Sequence, residues 1–132
     1  WCVKNPEWFD TVVTSNMFGD ILTDLAAMIQ GGLGIAASGN LHPGQVSLFE
    51  PIHGSAPKYT GKNVANPLAT IMAVSMMLDY LGETRGAARI EETVAGLLRS
   101  KQISSLGSDS GLSTSEIGNL VLESLERAKV PA

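Results

Sequence analysis

The segment FEPIHGSAPKYTGKNVANP, residues 49–67, sets three prolines, two glycines and a histidine between two apolar runs. Proline locks φ and lacks an N–H, and glycine weakens regular elements, so this stretch can be neither a helix nor a central strand. It is also too specific for a linker. Pro51 and Pro57 fix its path, Gly54 permits close backbone approach, and it ends at Asn66-Pro67. There asparagine caps a helix and proline takes the first helical position, where its missing N–H costs nothing. Any fold for this chain must therefore hold a rigid loop at the start of a helix. Loops fixed in this way are where ligands bind.

The helix that follows, closed by Gly82, reads LATIMAVSMMLDYL and is apolar nearly all round, which predicts burial on most sides. Upstream, TVVTS (11–15) reads as a short buried strand, and a helix over 17–30 follows, with Ser15 or Asn16 as cap. Its apolar positions Ile21, Leu22, Leu25, Met28 and Ile29 recur at helical spacing, and Gly31-Gly32 ends it. The stretch to Gly44 is loop with room for a brief strand, and VSLFE (46–50) is a further strand candidate. A third helix is predicted over 86–100. A fourth, over 115–129, opens with the capping box Ser113-x-x-Glu116 and stops at Pro131. Residues 1–4 read as a helix end stopped by Asn5-Pro6, with its beginning missing, and the expectation is a fragment of a longer chain. Strand–helix alternation early and helices late predict part of an α/β protein.

Composition narrows the function classes. The chain has 132 residues, enough for one domain with a core, and 44% of them are apolar. A net charge of −4 without a basic stripe gives no footprint for nucleic acid, and no apolar run is long enough for a bilayer. A lone cysteine, Cys2, cannot form an internal disulfide and suits a reducing, cytoplasmic setting.

Two candidate sites and two false leads stand out. Asp20 and Asp24, at i and i+4, share one face of the 17–30 helix. Either they are a helix-dipole partner and a solvated carboxylate, or they bind a divalent cation, which takes one or two carboxylates plus water and substrate oxygens. In the loop, Lys58 can meet a phosphate and Tyr59 can donate a hydrogen bond, although such a pair is also common on plain surface. Gly32-Leu33-Gly34-Ile35-Ala36-Ala37 fits a dinucleotide fingerprint in letters only, because a helix leads into it where a strand is required. Neither His42 nor His53 has a Cys or second His at ligand spacing, which argues against zinc.

Together these stretches resemble the β-decarboxylating dehydrogenases, which act on 3-isopropylmalate, isocitrate, homoisocitrate and tartrate/D-malate. TSNMFGDILTDLAAMIQGGLG is similar to the family's metal-binding helix, and LFEPIHGSAPKYTGKNVANPLATIMAVSMML to its cofactor loop and following helix. The resemblance runs over essentially the whole chain and implies the C-terminal part of an isocitrate/isopropylmalate dehydrogenase-like α/β fold, without a Rossmann fingerprint. Residues 1–38 would end a metal, substrate and dimerisation domain, and residues 39–132 would be the C-terminal part of a nucleotide-binding domain.

The same resemblance implies that Asp20 and Asp24 ligate Mg²⁺ or Mn²⁺. It places Glu50 near the nicotinamide ribose, and His53, Gly54, Ser55, Ala56, Val64 and Asn66 against the adenosine half of NAD or NADP. The activity implied is oxidation of a 2-hydroxy diacid with loss of CO₂, first 3-isopropylmalate (leucine biosynthesis). Isocitrate, tartrate/D-malate or a non-catalytic regulatory subunit are the alternatives. The family's base, acid and third metal aspartate fall upstream of Trp1, and a homodimer shares the site between subunits. The 132 residues alone are then expected to be inactive. Lys58-Tyr59 matches the NADP-dependent isocitrate enzymes, whereas NAD-using members usually have aspartate at position 58. KQISSLGSDSG lacks the further Tyr and Arg of the NADP enzymes, so the resemblance leans to NADP with a half-built phosphate pocket.

Overall fold

A computed structural model describes residues 1–107 and 110–127. Its elements in order are α1 (Asn16–Ile29), β1 (Ala37–Asn40), β2 (Leu48–Pro51), α2 (Leu68–Tyr80), α3 (Thr84–Arg99) and α4 (Thr114–Arg127). Short 3₁₀ turns occupy Pro6–Trp8 and Pro57–Tyr59. The β1 and β2 strands pair antiparallel, with Ser38 opposite Glu50 and Gly39 opposite Phe49. Gly39 lets the strands pack closely there, because a Cβ would lie 3.2 Å from the Phe49 ring and the ring would have to shift.

The α2 helix is the hub, packed against α3 and against the hairpin. It ends in a Schellman motif: Gly82, at φ +86°, donates to Asp79 O, and Glu83 N–H donates to Leu78 O. The turn sends α3 back along α2, and Ser75, fully buried, satisfies its hydroxyl on the Ala87 carbonyl at 2.9 Å. The core gathers Leu68 from α2, Val94 and Leu97 from α3, Ile103 from the connecting loop, and Ile117 and Val121 from α4. Ile35 packs against that cluster and Ala36 is buried, so the core reaches back across the 38/39 division, which itself falls within β1.

Three expectations need correction. Residues 11–15 form no strand, and Val13 is 96% exposed. Among the described residues no strand lies beside them, so their backbone has no ladder to join. Residues 1–4 form a hydrogen-bonded turn, closed by Asn5 N–H on Trp1 O, rather than a helix end. On α2, burial is less complete than its sequence predicts, since Val74 and Met76 are both exposed. On α1 the predicted apolar positions Ile21, Leu25, Met28 and Ile29 are exposed too. The predicted stop at Pro131 lies outside the described residues.

The capping box forms as expected. Ser113 N–H and Oγ–H both donate to Glu116 Oε2, at 2.7 and 2.6 Å, and Glu116 N–H returns a bond to Ser113 Oγ. These bonds hold the Glu116 carboxyl below its ordinary range, the Ser113 hydroxyl contributing most and slight desolvation opposing it.

Candidate functional site

Asn66 is where the fold builds a cleft. Its Oδ1 accepts from Leu68 N–H at 2.9 Å, capping α2 across Pro67, which has helical φ and ψ. Its Nδ2 donates to Leu106 O at 3.1 Å, drawing in the loop after α3. Gly34 passes directly beneath: a Cβ there would collide with the Leu106 carbonyl, and Gly34 O accepts from Ala69 N–H. Three distant segments thus meet around one amide.

The cleft that results has a volume of about 670 Å³ and is lined by His53, Gly54, Ser55, Ala56, Lys58, Tyr59, Val64 and Asn66. Leu33, Gly34, Thr60, Ala65, Leu106 and Gly107 complete it. Its size falls within the range of ligand sites, and its walls mix apolar faces with a few polar groups. A Cβ built on Gly54 meets nothing within 4 Å, so the space over that backbone is open to a ligand. His53 Nδ1–H donates to Gly54 O at 3.0 Å, which fixes the ring against the loop backbone. Ala56 adopts φ +43°, an unusual state for a residue with a Cβ, and so turns the chain into the Pro57–Tyr59 turn. Lys58 Nζ sits 4.8 Å from the Tyr59 ring centroid, a cation–π contact, and has no carboxylate partner among the described residues.

Glu50 is exposed on β2 and is not part of the cleft lining. Asp20 and Asp24 lie exposed one turn apart on α1. Asn16 Nδ2 donates to Asp20 Oδ2 at 3.4 Å, and neither carboxylate is in an ion pair among the described residues. No group of three or more His, Cys, Asp or Glu converges anywhere among them. Two open carboxylates fit Mg²⁺ or Mn²⁺, which completes its shell with water and substrate oxygens. No helix among the described residues is long and apolar enough to cross a membrane.

Sequence reasoning missed Thr60 and Ala65 within the loop, and Leu33, Gly34, Leu106 and Gly107, which come from segments remote from it. Gly34 carried a signal that was read only as part of a false fingerprint: it is a glycine where another backbone passes close. The rejection of that fingerprint agrees with the structure, where α1 precedes Gly32 and a strand follows.

A family model for isocitrate/isopropylmalate dehydrogenase matches residues 1–121. A 3-isopropylmalate dehydrogenase of Frankia casuarinae is 56% identical over 98 residues, which take in 73% of this chain and 29% of that protein. An isocitrate/homoisocitrate dehydrogenase of Thermus thermophilus is 48% identical over 125 residues, 94% of this chain and 36% of that one. The crystal structure of isocitrate dehydrogenase from Methylococcus capsulatus matches with a TM-score of 0.84 at 42% identity, over 94% of this chain and 37% of the other. The chain thus spans about a third of the length of the curated relatives it matches. By sequence and by fold, the chain belongs to the isocitrate/isopropylmalate dehydrogenase family.

Proposed function

We propose that this chain supplies the metal helix and the adenosine cleft of an enzyme that oxidatively decarboxylates a 2-hydroxy diacid, first among them 3-isopropylmalate. The observation that carries this is the gathering of His53 to Ala56, Lys58, Tyr59, Val64 and Asn66 around one cleft. When bound, a divalent cation would supply Lewis acidity for the charge left by departing CO₂, and a nicotinamide dinucleotide would accept the hydride. Asp20 and Asp24 would hold the cation. The 53–66 loop would hold the adenosine half of the dinucleotide, with Lys58 meeting a 2′-phosphate and thus favouring NADP over NAD. Glu50 would serve the nicotinamide ribose from β2, beyond the cleft. No residue of this chain is assigned to proton transfer. The exposed apolar stripe of α1, Ile21, Leu25 and Met28, suits a homodimer that shares the site. Residues 1–38 would then belong to a metal, substrate and dimerisation domain and residues 39–132 to a nucleotide domain. The single Cys2 suits a reducing, cytoplasmic setting.

The Frankia relative's name favours 3-isopropylmalate, whereas the Thermus relative, which covers more of this chain, favours isocitrate or homoisocitrate. Tartrate or D-malate, and a non-catalytic regulatory subunit, are the remaining alternatives. The test is kcat/KM of the protein for each diacid with Mn²⁺ and either dinucleotide. Preference for 3-isopropylmalate supports the first reading, and preference for isocitrate replaces it. The 132 residues assayed alone are expected to give no metal-dependent reduction of either dinucleotide.

A further inference from the structure

We infer that Asn63, which does not line the cleft, is a positioning residue that sets the spacing of the cleft's two walls. Its φ of +55° is a left-handed state that asparagine tolerates better than most residues. This turns both its carbonyl and its side chain onto the first turn of α4. Thr114 N–H donates to Asn63 O at 2.9 Å, and Ser115 donates from N–H and Oγ–H to Asn63 Oδ1 at 3.2 and 3.1 Å. Two residues on, Ala65 O accepts from Thr114 Oγ1 at 2.5 Å. Asn63 therefore caps a helix 51 residues away in sequence, in addition to the capping that Ser113 and Glu116 already give it.

The two supports serve different donors of one helix end, Ser113 Oγ taking Glu116 N–H and Asn63 taking the N–H groups of Thr114 and Ser115. The second has another consequence: the cleft-lining run Val64–Asn66 is fixed between Asn63, tied to α4, and the Asn66 bond to Leu106. The lining residues Leu106 and Gly107 belong to the segment that leads into α4. Without the Asn63 bonds, the Val64–Asn66 run keeps its ties through Ala65 O and Asn66 but loses those that hold its start to α4. A wall held in place for a smaller share of the time weakens apparent affinity by that share.

The inference rests on the cleft being the adenosine site, and the experiment separates the two. In the whole protein, Asn63→Gly permits the left-handed backbone and the Thr114 bond to the residue 63 carbonyl while removing the side chain with its Oδ1 acceptor, and Asn63→Asp keeps an acceptor at a helix N-terminus that favours negative charge. Calorimetric titration with NADP and with NAD is expected to show binding weakened about five- to tenfold in Asn63→Gly. Binding should be restored in Asn63→Asp, and Mn²⁺ affinity should be unchanged in both. Ser115→Ala, a milder change, is expected to weaken binding about two- to threefold, and it carries the test should Asn63→Gly fail to fold. A lower Tm in Asn63→Gly with unaltered dinucleotide affinity would overturn the inference, leaving Asn63 as a cap alone. A wild-type protein that binds neither dinucleotide would overturn the cleft reading and this inference with it.

Discussion

The Asn66 amide donates to the Leu106 carbonyl across 40 residues of sequence, while its oxygen caps α2 through Leu68 N–H. One side chain thus starts a helix and closes a cleft. Asn66→Asp separates the two jobs, because aspartate is an equally good cap but cannot donate to a carbonyl. The substitution is expected to destabilise the protein by about 1–2 kcal/mol, through a lost hydrogen bond and a carboxylate facing a carbonyl. Urea unfolding against wild type measures this, and unchanged stability would mean that the Leu106 bond contributes nothing.

The capping box gives a pH dependence with a definite sign. Glu116 has its carboxyl lowered by Ser113, so its contribution is full above the unfolded carboxylate range and is lost as pH falls through the lower folded value. Glu116→Gln removes the charge at every pH. Wild type should therefore exceed the variant in Tm near neutrality by a small margin, since the group is exposed, and the curves should converge in acid. A gap that stays constant between about pH 3 and 6 would contradict this.

On α1 the question is whether the Asp20–Asp24 pair binds metal or merely faces water. Asp24→Asn is expected to weaken Mn²⁺ binding by at least about tenfold and nearly abolish turnover. The solvated alternative predicts a stability change within about 0.5 kcal/mol and nothing else. Titration of Mn²⁺ followed by water-proton relaxation distinguishes them, and full activity at limiting metal would sink the assignment.

What could be read from the sequence followed the range of the interactions involved. Asn66-Pro67, Gly82 and Ser113-x-x-Glu116 marked helix ends that the structure keeps, whereas the cap expected from Ser15 or Asn16 on α1 makes no side-chain capping bond. The cleft's near wall was legible because one contiguous loop supplies it. Its far wall was not, since Leu106 is tied to the loop by the Asn66 bond and α4 by the Asn63 bonds, and a hydrogen bond over 40 or 52 residues leaves no periodic trace. The strand expected at 11–15 failed for a related reason. A β-branched run states a propensity, but a strand exists only where another backbone lies beside it.

Lys58 carries the sharpest test of what occupies the cleft. It lines the space with its Nζ over the Tyr59 ring and no carboxylate partner among the described residues, so its charge remains available to an incoming anion. If the ribose of the adenosine half lies there, an ammonium favours a 2′-phosphate, whereas an aspartate would accept hydrogen bonds from both ribose hydroxyls and repel that phosphate. The sequence KQISSLGSDSG offers no further tyrosine or arginine, so Lys58 has little help. The wild-type preference for NADP should accordingly be modest, about 1–2 kcal/mol or roughly five- to thirtyfold in kcat/KM, as one charge-assisted contact supplies. Lys58→Asp is expected to invert it. The measurement is kcat/KM for both dinucleotides before and after the change, with direct binding of each as a control. A wild-type protein that strongly prefers NAD would show that the lysine serves the Tyr59 ring and the solvent, and that position 58 does not read the ribose.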